Sequence, residues 1–255
     1  MKNHRLGRWI LILLFQAFFD KIYEMEKNEF IDECKKRGLI ISPDKMAQFD
    51  EYAAFLREYN EKINLTAISE YSAVLEKHFF DSLLASFGKK LSGTLVDVGT
   101  GAGFPGVVLK IAYPELRVIL VEPLQKRCLF LKQLIERLGL QDIEVVNARG
   151  EDYSLMHREA YDYVTARAVS NLNALIEVCG AMVKVGGYFL ALRGANGLKE
   201  LQDAQTAWET MGFVKEEVVE TKLSEGERVI AYLRKQKATP KKYPRKYSMI
   251  KQRPL

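Results

Sequence analysis

An open α/β sheet of seven strands, preceded by helices and ending in an antiparallel hairpin, is the fold that the sequence predicts. From Thr94 onward, short apolar runs alternate with helical patterns, which is typical of a parallel sheet covered by helices. The first run leads through a glycine-rich turn into a helix. No helical pattern separates the last two runs, so we expect them to pair as a hairpin.

The first 24 of the 255 residues carry a basic start and an apolar run over 9–19. The run is shorter than the roughly 18 residues of a membrane span, and charged residues stand where a signal peptide would have its cleavage site. An added helix, a surface anchor and upstream sequence included by a mistaken start all fit this pattern. We favour the mistaken start and assign residues 1–24 no chemistry.

Residues 25–92 predict a helical cap on the sheet domain. A short helix is expected over 28–38, and a second from Pro43 to about residue 59, with Ser42 as its N-cap. A third is expected from about 70 to 87.

Residues 93–235 predict the sheet domain, and residues 236–255 a basic tail. The expected strands are 95–98, 117–121, 143–147, 161–166, 187–193, 213–219 and 228–233. The expected helices are 106–112, 125–138, 171–183 and about 198–211.

The turn after the first strand is typical of two cofactor classes. Gly101, Gly103 and Gly106 match the dinucleotide pattern G-x-G-x-x-G, and Glu122 lies about 20 residues further on, where an acid would bind ribose. Asp97 decides between the classes, because a carboxylate there would repel a pyrophosphate. It would attract the amine and sulfonium of S-adenosylmethionine, which the sequence therefore favours.

Ligands of open α/β sheets lie beyond the carboxyl ends of the strands, so the residues there are candidates for the site. Glu122 is expected to accept both ribose hydroxyls, and Leu124 to pack on the adenine. The segment 148–151 offers backbone N–H groups to the adenine edge. Arg167 and Arg193 end two further strands and are suited to hold a carboxylate or phosphate.

The sequence lacks the residue patterns that several kinds of reaction or binding site require. The segment 166–170 has no Asn/Asp-Pro-Pro-Tyr motif for methylating an exocyclic amine, and no metal-binding pattern occurs. Cys34, Cys128 and Cys179 are widely spaced and odd in number, which excludes a disulfide framework and indicates a cytoplasmic protein. For His78, which lies near Asp81 in the sequence, we favour a structural role.

The positive charge is concentrated at the C-terminus. Residues 234–255 hold nine of the 38 Lys and Arg residues and none of the 33 Asp and Glu residues, although the whole chain is only +5. Interleaved prolines and tyrosines over 234–247 argue against a helix and allow contacts to nucleic acid. A solubilising, disordered tail is an equal alternative.

These residues together resemble the small-subunit ribosomal RNA methyltransferase G family, also called glucose-inhibited division protein B. The blocks that carry the resemblance run from about residue 45 to 235, and they are Ile63-Asn-Leu-Thr66, Lys77-His-Phe-Phe-Asp-Ser82, Asp97 to Gly106, Lys126-Arg127 with Phe130-Leu131, and Ala166-Arg-Ala-Val169 with Leu172. Glu122 stands where many members have Asp. The implied fold is the class I S-adenosylmethionine-dependent methyltransferase fold, Rossmann-like, with seven strands and a terminal antiparallel hairpin.

The resemblance implies transfer of a methyl group to N7 of a guanine in 16S ribosomal RNA, by a cytoplasmic monomer that needs no metal and no membrane. Asp81 and Arg167 are the catalytic candidates. The cofactor-binding positions expected from the strand ends and the resemblance together are Asp97, Gly99, Gly101, Gly103, Phe104, Glu122, Pro123, Leu124, Gly150, Glu151 and Arg167. The expected RNA-binding residues are Lys126, Arg127, Arg193, Lys241, Lys242, Arg245 and Lys246. Two alternatives stay open, an NAD-dependent oxidoreductase and a non-catalytic RNA-binding assembly factor.

Overall fold

The computed structural model describes residues 25–167 and 171–255, so the predictions for residues 1–24 lie outside the described residues. The strands are β1 (Thr94–Val98), β2 (Arg117–Val121), β3 (Ile143–Val146), β4 (Tyr161–Arg167), β5 (Val183–Arg193), β6 (Phe213–Leu223) and β7 (Gly226–Lys235). They form one sheet in the order β3-β2-β1-β4-β5-β7-β6. The first five strands are parallel and β7 is antiparallel to both neighbours, which confirms the predicted topology.

The helices before the sheet are α1 (Lys27–Lys36), α2 (Pro43–Ile63), α3 (Tyr71–Val74) and α4 (Asp81–Leu83), with a π-helical stretch, Leu75–Phe80, joining the last two. Those of the sheet region are α5 (Gly106–Ala112), α6 (Gln125–Arg137), α7 (Gly150–Met156), α8 (Leu172–Gly180), α9 (Gly197–Asp203) and α10 (Gln205–Thr210). The chain ends with α11 (Tyr247–Gln252).

Successive side chains of a strand point to opposite faces of the sheet, so the core forms two layers, one on each face. Leu95 of β1 faces a layer built with α1, α2, α5 and α6, whereas Val96 and Val98 face a layer built with α8, α9 and α10. The helices of residues 25–92 thus share one hydrophobic core with the sheet. The predicted domain boundaries at 92 and 235 stay predictions.

One helix was not predicted, and several predicted elements have other bounds in the structure. Helix α7 was missed, because its seven residues are too few to show a helical period and its Leu155 and Met156 are exposed. Strand β5 begins at Val183 rather than 187, since Gly186 and Gly187 continue the strand past an irregularity in its pairing with β4. The helix predicted over 198–211 is two helices divided at Ala204, and the third predicted helix ends at Leu83.

The C-terminal segment packs on the body of the protein. Residues 236–246 are not helical, as their prolines predict, but a short helix follows them. Tyr243 and Ile250 are buried in the layer that contains α8. The disordered alternative for this tail is therefore wrong.

Candidate functional site

A cleft of about 830 Å³ lies at the carboxyl edge of the sheet, beside the glycine-rich turn. Backbone and side chains from the ends of β1, β2, β3 and β4 form it, together with the loop after α2 and the π-helical stretch. The lining residues are Leu65, Thr66, His78, Gly99, Thr100, Gly101, Ala102, Phe104, Glu122, Pro123, Leu124, Arg127, Asn147, Ala148, Arg149, Asp152 and Arg167. Its position is that of the ligand site in open α/β sheets.

Glycine is required in the turn for two reasons. Gly99, Gly101 and Gly103 have φ values of 68°, 62° and 101°, which side-chain-bearing residues rarely adopt. A Cβ atom on Gly103 would also lie 2.6 Å from the hydroxyl oxygen of Tyr52. That hydroxyl donates a hydrogen bond of 2.5 Å to the carbonyl oxygen of Ala102, so helix α2 supports the turn from outside.

Asp97 lies beneath the turn and does not line the cleft. Its Oδ2 accepts hydrogen bonds from the Thr100 hydroxyl (2.6 Å) and the Gly106 backbone N–H (2.8 Å). Its Oδ1 is buried and has no hydrogen-bond partner in the described part of the chain. Burial raises the pKa of the Asp97 carboxyl to about 6, although the two hydrogen bonds and Arg167 oppose the rise. The carboxylate thus holds the turn in shape and places a buried acid below it.

Glu122 lies at the end of β2 with its side chain in the cleft wall. Its residue is 1% exposed, and its two carboxylate oxygens accept hydrogen bonds of 3.0 Å from the backbone N–H groups of Gly101 and Leu124. Each oxygen retains a lone pair for a further donor. Pro123 and Leu124 follow it and are exposed, and the amide of Asn147 donates to the carbonyl oxygens of residues 122 and 123. This wall combines an acceptor pair with an apolar surface.

Gly150 and Glu151 lie in the first turn of α7, not in the loop that the sequence suggested. A Cβ atom on Gly150 would lie 2.6 Å from Cγ1 of Val98, so glycine allows α7 to approach β1 closely. Neither residue lines the cleft. The cleft is lined instead by the residues on either side of them, Arg149 and Asp152.

Phe104 lies at the centre of a stack that separates the cleft from the core. Its ring centroid is 4.4 Å from that of His78 and 5.4 Å from that of Tyr52, and the guanidinium carbon of Arg167 lies 5.1 Å from it. Since Phe104 is only 6% exposed, it belongs to the core as much as to the cleft.

His78 makes contacts that fix its side chain, and it also lines the cleft. A hydrogen bond of 2.8 Å joins its Nε2 to the hydroxyl of Thr66. Burial, with a contribution from Arg167, lowers the pKa of His78 to about 4. The imidazole is therefore neutral at pH 7.

Asp81 is shared by two arginines from different strands. Its Oδ2 accepts a hydrogen bond of 2.9 Å from Nη1 of Arg167, at the end of β4, and its Oδ1 one of 2.8 Å from Nε of Arg228, in β7. The three side chains line a second cavity of about 460 Å³, next to the first. His78 and Arg167 belong to both cavities, so they stand at the junction.

Sequence reasoning missed Arg228, and the topology contains the signal that would have found it. Strand β7 runs antiparallel to β5, and Val229 pairs with Arg193 at the last position of β5. The first residues of an antiparallel strand therefore lie at the edge where its parallel neighbours end. The predicted hairpin implies this placement, because β7 begins at the edge where β5 ends.

The predicted RNA-binding residues fall into two groups. Lys126, Lys241, Lys242 and Lys246 are exposed, and Arg127 is partly exposed, 3.9 Å from the Glu122 carboxylate. Arg193 is bonded to Glu200, with its Nε 2.7 Å from the carboxylate, and lines the second cavity. Arg245 makes a two-pronged contact of 2.6 Å per bond with the fully buried Glu177.

The cleft suits a nucleoside that carries a positively charged group. Glu122 offers acceptors for hydroxyls, Leu124 an apolar surface for a base, and the turn a run of backbone groups. Below the turn lies the buried carboxylate of Asp97, whose Oδ1 has no hydrogen-bond partner in the described part of the chain. In residues 25–167 and 171–255 no group of three or more His, Cys, Asp or Glu residues could hold a metal ion, and no helix is long and apolar enough to cross a membrane.

Solved structures of methyltransferases share the fold. TYW2 of M. jannaschii, solved in complex with AdoMet, superposes with a TM-score of 0.50 and 15% identity, over 61% of this chain and 75% of its own. A predicted O-methyltransferase from Agrobacterium tumefaciens gives 0.51 and 16% identity, over 62% of this chain and 82% of its own. At these identities the likeness concerns the fold, and it confirms the predicted fold class.

The sequence comparisons are more specific. Proteins named ribosomal RNA small subunit methyltransferase G from Lactobacillus acidophilus and Lysinibacillus sphaericus are 46% and 44% identical, and in each case the match covers 91% of this chain and 100% of the relative. The family model described as rRNA small subunit methyltransferase G matches residues 45–230. The oxidoreductase alternative is set aside, because the chain belongs to the rRNA small subunit methyltransferase G family.

Proposed function

We propose that this enzyme transfers the methyl group of S-adenosylmethionine to N7 of a guanine in 16S ribosomal RNA. Membership of the methyltransferase G family is the observation that carries the proposal. The cleft supports it, because Glu122 combines a buried carboxylate with two remaining acceptor sites beside the glycine turn. We assign the protein to the cytoplasm as a monomer, with the small ribosomal subunit as its partner.

S-adenosylmethionine supplies an electrophilic methyl group on a sulfonium centre. In this proposal Glu122 accepts the ribose hydroxyls, Leu124 packs on the adenine, and the backbone of Gly99 and Gly101 borders the methionine part. Phe104 closes the pocket on the core side. Asp97 acts from below, by fixing the turn and by its charge. The assignment of Gly150 and Glu151 is indirect, through the position of α7.

Guanine N7 has an in-plane lone pair and no proton to lose, so the reaction needs alignment more than a general base. The neutral state of His78 and the paired state of Asp81 agree with that requirement. Methylation leaves a positive charge on the guanine ring. Asp97 and Glu151 line neither cavity, and Asp81 is paired with two guanidinium groups, so we assign none of these three candidates the role of stabilising that charge. We propose instead that Asp81 positions Arg167.

Arg167 joins the two cavities, and we propose that it positions the substrate through its bond to Asp81 and its contact with Phe104. Lys126, Arg127 and Arg193 then hold RNA phosphates around the rim. Binding of this kind weakens steeply as salt concentration rises.

The deciding experiment compares 16S ribosomal RNA from strains with and without this gene for N7-methylguanine. We expect one methylated guanine to be lost with the gene and to return when purified enzyme and S-adenosylmethionine are added to subunits from the deletion strain. An unchanged methylation pattern would refute the proposal. RNA binding without methyl incorporation would instead indicate the assembly-factor alternative.

A further inference from the structure

The C-terminal strap, residues 236–255, follows helix α8 toward the cleft. Just before it, Lys235 donates a hydrogen bond of 2.6 Å to the carbonyl oxygen of Gly180, the last residue of α8. Arg245 bonds to Glu177, near the middle of the helix. At the chain's end, the Asn173 amide donates a bond of 2.6 Å to the carbonyl oxygen of Leu255. The order 180, 177, 173 shows that the strap runs antiparallel to α8.

This direction takes the end of the chain to the catalytic edge of the sheet. Helix α8 comes after β4, whose last residue, Arg167, lines both cavities. Its first turn therefore lies on the cleft side, and its last turn about 12 Å away at the 1.5 Å rise of an α-helix. The turn at 240–243 lies at the far edge, where Arg158, just before β4, donates to the carbonyl oxygens of Thr239 and Tyr243.

The strap is held by an ion pair between the partly exposed Arg245 and the buried Glu177. Both carboxylate oxygens of Glu177, which is fully buried, accept bonds from the guanidinium of Arg245. The same guanidinium donates a bond of 3.0 Å to the carbonyl oxygen of Arg253, further along the strap. Because its Nε and Nη2 groups are engaged within the protein, we infer that Arg245 serves as an anchor rather than as a phosphate contact.

Near the cleft the strap carries charge outward. Lys251 and Arg253 are both exposed, and the strap contains no acidic residue. Two carboxylates stand nearby, that of Asp203, whose carbonyl oxygen lies 3.5 Å from the Asn173 amide, and that of the terminal residue Leu255, which the same amide bonds. The case for a polyanion therefore rests on the exposure of Lys251 and Arg253 beside the cleft and not on a net charge.

We propose that the end of the strap, residues 247–255, is part of the RNA-docking surface, with Lys251 and Arg253 contacting phosphates beside the cleft and Arg245 holding the segment in place. The inference rests on the proposed function, since the RNA is the substrate of the adjoining site. We therefore expect the cations at the cleft end of the strap to contribute more to RNA binding than those at its far end, whereas charge alone would make them equivalent.

Two double variants with the same loss of charge test the proposal. Lys251→Gln with Arg253→Gln alters the cleft end of the strap, and Lys241→Gln with Lys242→Gln alters its far end. Binding to a 16S ribosomal RNA transcript is measured between 0.05 and 0.3 M salt. We expect the first pair to weaken binding on the order of tenfold at 0.1 M and to reduce the slope of log affinity against log salt by about 2, one for each phosphate contact.

The second pair is expected to change affinity less than threefold. Equal losses for the two pairs, or a larger loss for Lys241 and Lys242, would overturn the proposal. Methyl transfer by the wild-type enzyme is measured in parallel, and its absence would count against the proposed function without affecting the comparison of binding.

A third variant, Arg245→Lys, preserves charge but replaces the planar fork that matches the Glu177 carboxylate. We expect it to weaken RNA binding several-fold while the affinity for S-adenosylhomocysteine stays within twofold, since the cofactor residues are untouched. Wild-type RNA affinity in this variant would refute the anchoring role.

Discussion

The substitution Glu122→Gln tests how the cleft recognises its cofactor, because it changes charge and donor pattern with almost no change in size. In the wild type, the two carboxylate oxygens accept the N–H groups of Gly101 and Leu124 at 3.0 Å. A glutamine offers one oxygen and one NH₂ group, so one backbone N–H faces another donor. An unsatisfied donor at such a site costs about 1–3 kcal/mol.

Cofactor binding should suffer as well, since a ribose hydroxyl loses an ionised acceptor. Hydrogen bonds to charged groups contribute about 1.5–3 kcal/mol, which corresponds to roughly 10- to 150-fold in Kd. Titration calorimetry with S-adenosylhomocysteine measures this change directly. Circular dichroism and thermal unfolding establish that the variant is folded before the titration.

Glu122→Asp is the matched control, because it keeps the carboxylate and shortens the side chain by one methylene group. We expect it to bind within about tenfold of the wild type, well above the glutamine variant. If Glu122→Gln binds S-adenosylhomocysteine within threefold of the wild type, then Glu122 does not hold the ribose and the cofactor placement is wrong.

Three further predictions concern stability. Burial lowers the pKa of Lys235 from 10.5 to about 7, so between these pH values the unfolded chain binds more protons than the folded protein. The free energy of unfolding of the wild type, measured in urea, should therefore rise relative to that of Lys235→Met by at most about 1.4 kcal/mol per pH unit from pH 7.5 to 9.5. A difference that does not change with pH would contradict this. Gly106→Ala should lower the free energy of unfolding by roughly 2–4 kcal/mol, because its methyl group would lie 2.5 Å from a Leu120 side-chain carbon, whereas Gly194→Ala, with open space around it, should lower it by under about 1 kcal/mol. Equal losses for the two variants in urea unfolding would argue against this packing. Tyr52→Phe should lose about 1 kcal/mol with the hydrogen bond to the turn, and an unchanged melting temperature would show that the bond contributes nothing.

Features that depend on a repeated residue pattern or on local backbone geometry could be predicted from the sequence. Alternation of apolar runs and helical patterns predicts the seven strands and their hairpin, because each element buries one face against the same sheet. Three glycines in the turn have positive φ values, which their spacing after a strand indicates. A carboxylate at position 97 also indicates a cofactor other than a dinucleotide, although the residue lies under the turn and not beside it.

What the sequence could not predict depends on contacts between distant segments. Arg228 is one of many basic residues until the hairpin places it next to Asp81. The path of the strap depends on Glu177, a single acid inside an apolar helix whose partner lies 68 residues away. Helix α7 is stabilised by packing against α8 rather than by a pattern of its own.

The bonds of Asp81 also have a consequence for the order in which the enzyme is made. Its two arginine partners lie 86 and 147 residues further along the chain, and the strap comes later still. A nascent chain that ends before residue 228 contains the glycine turn and Glu122 but leaves Asp81 with half of its partners. The second cavity is therefore completed only after β7 has been synthesised and has paired with β5.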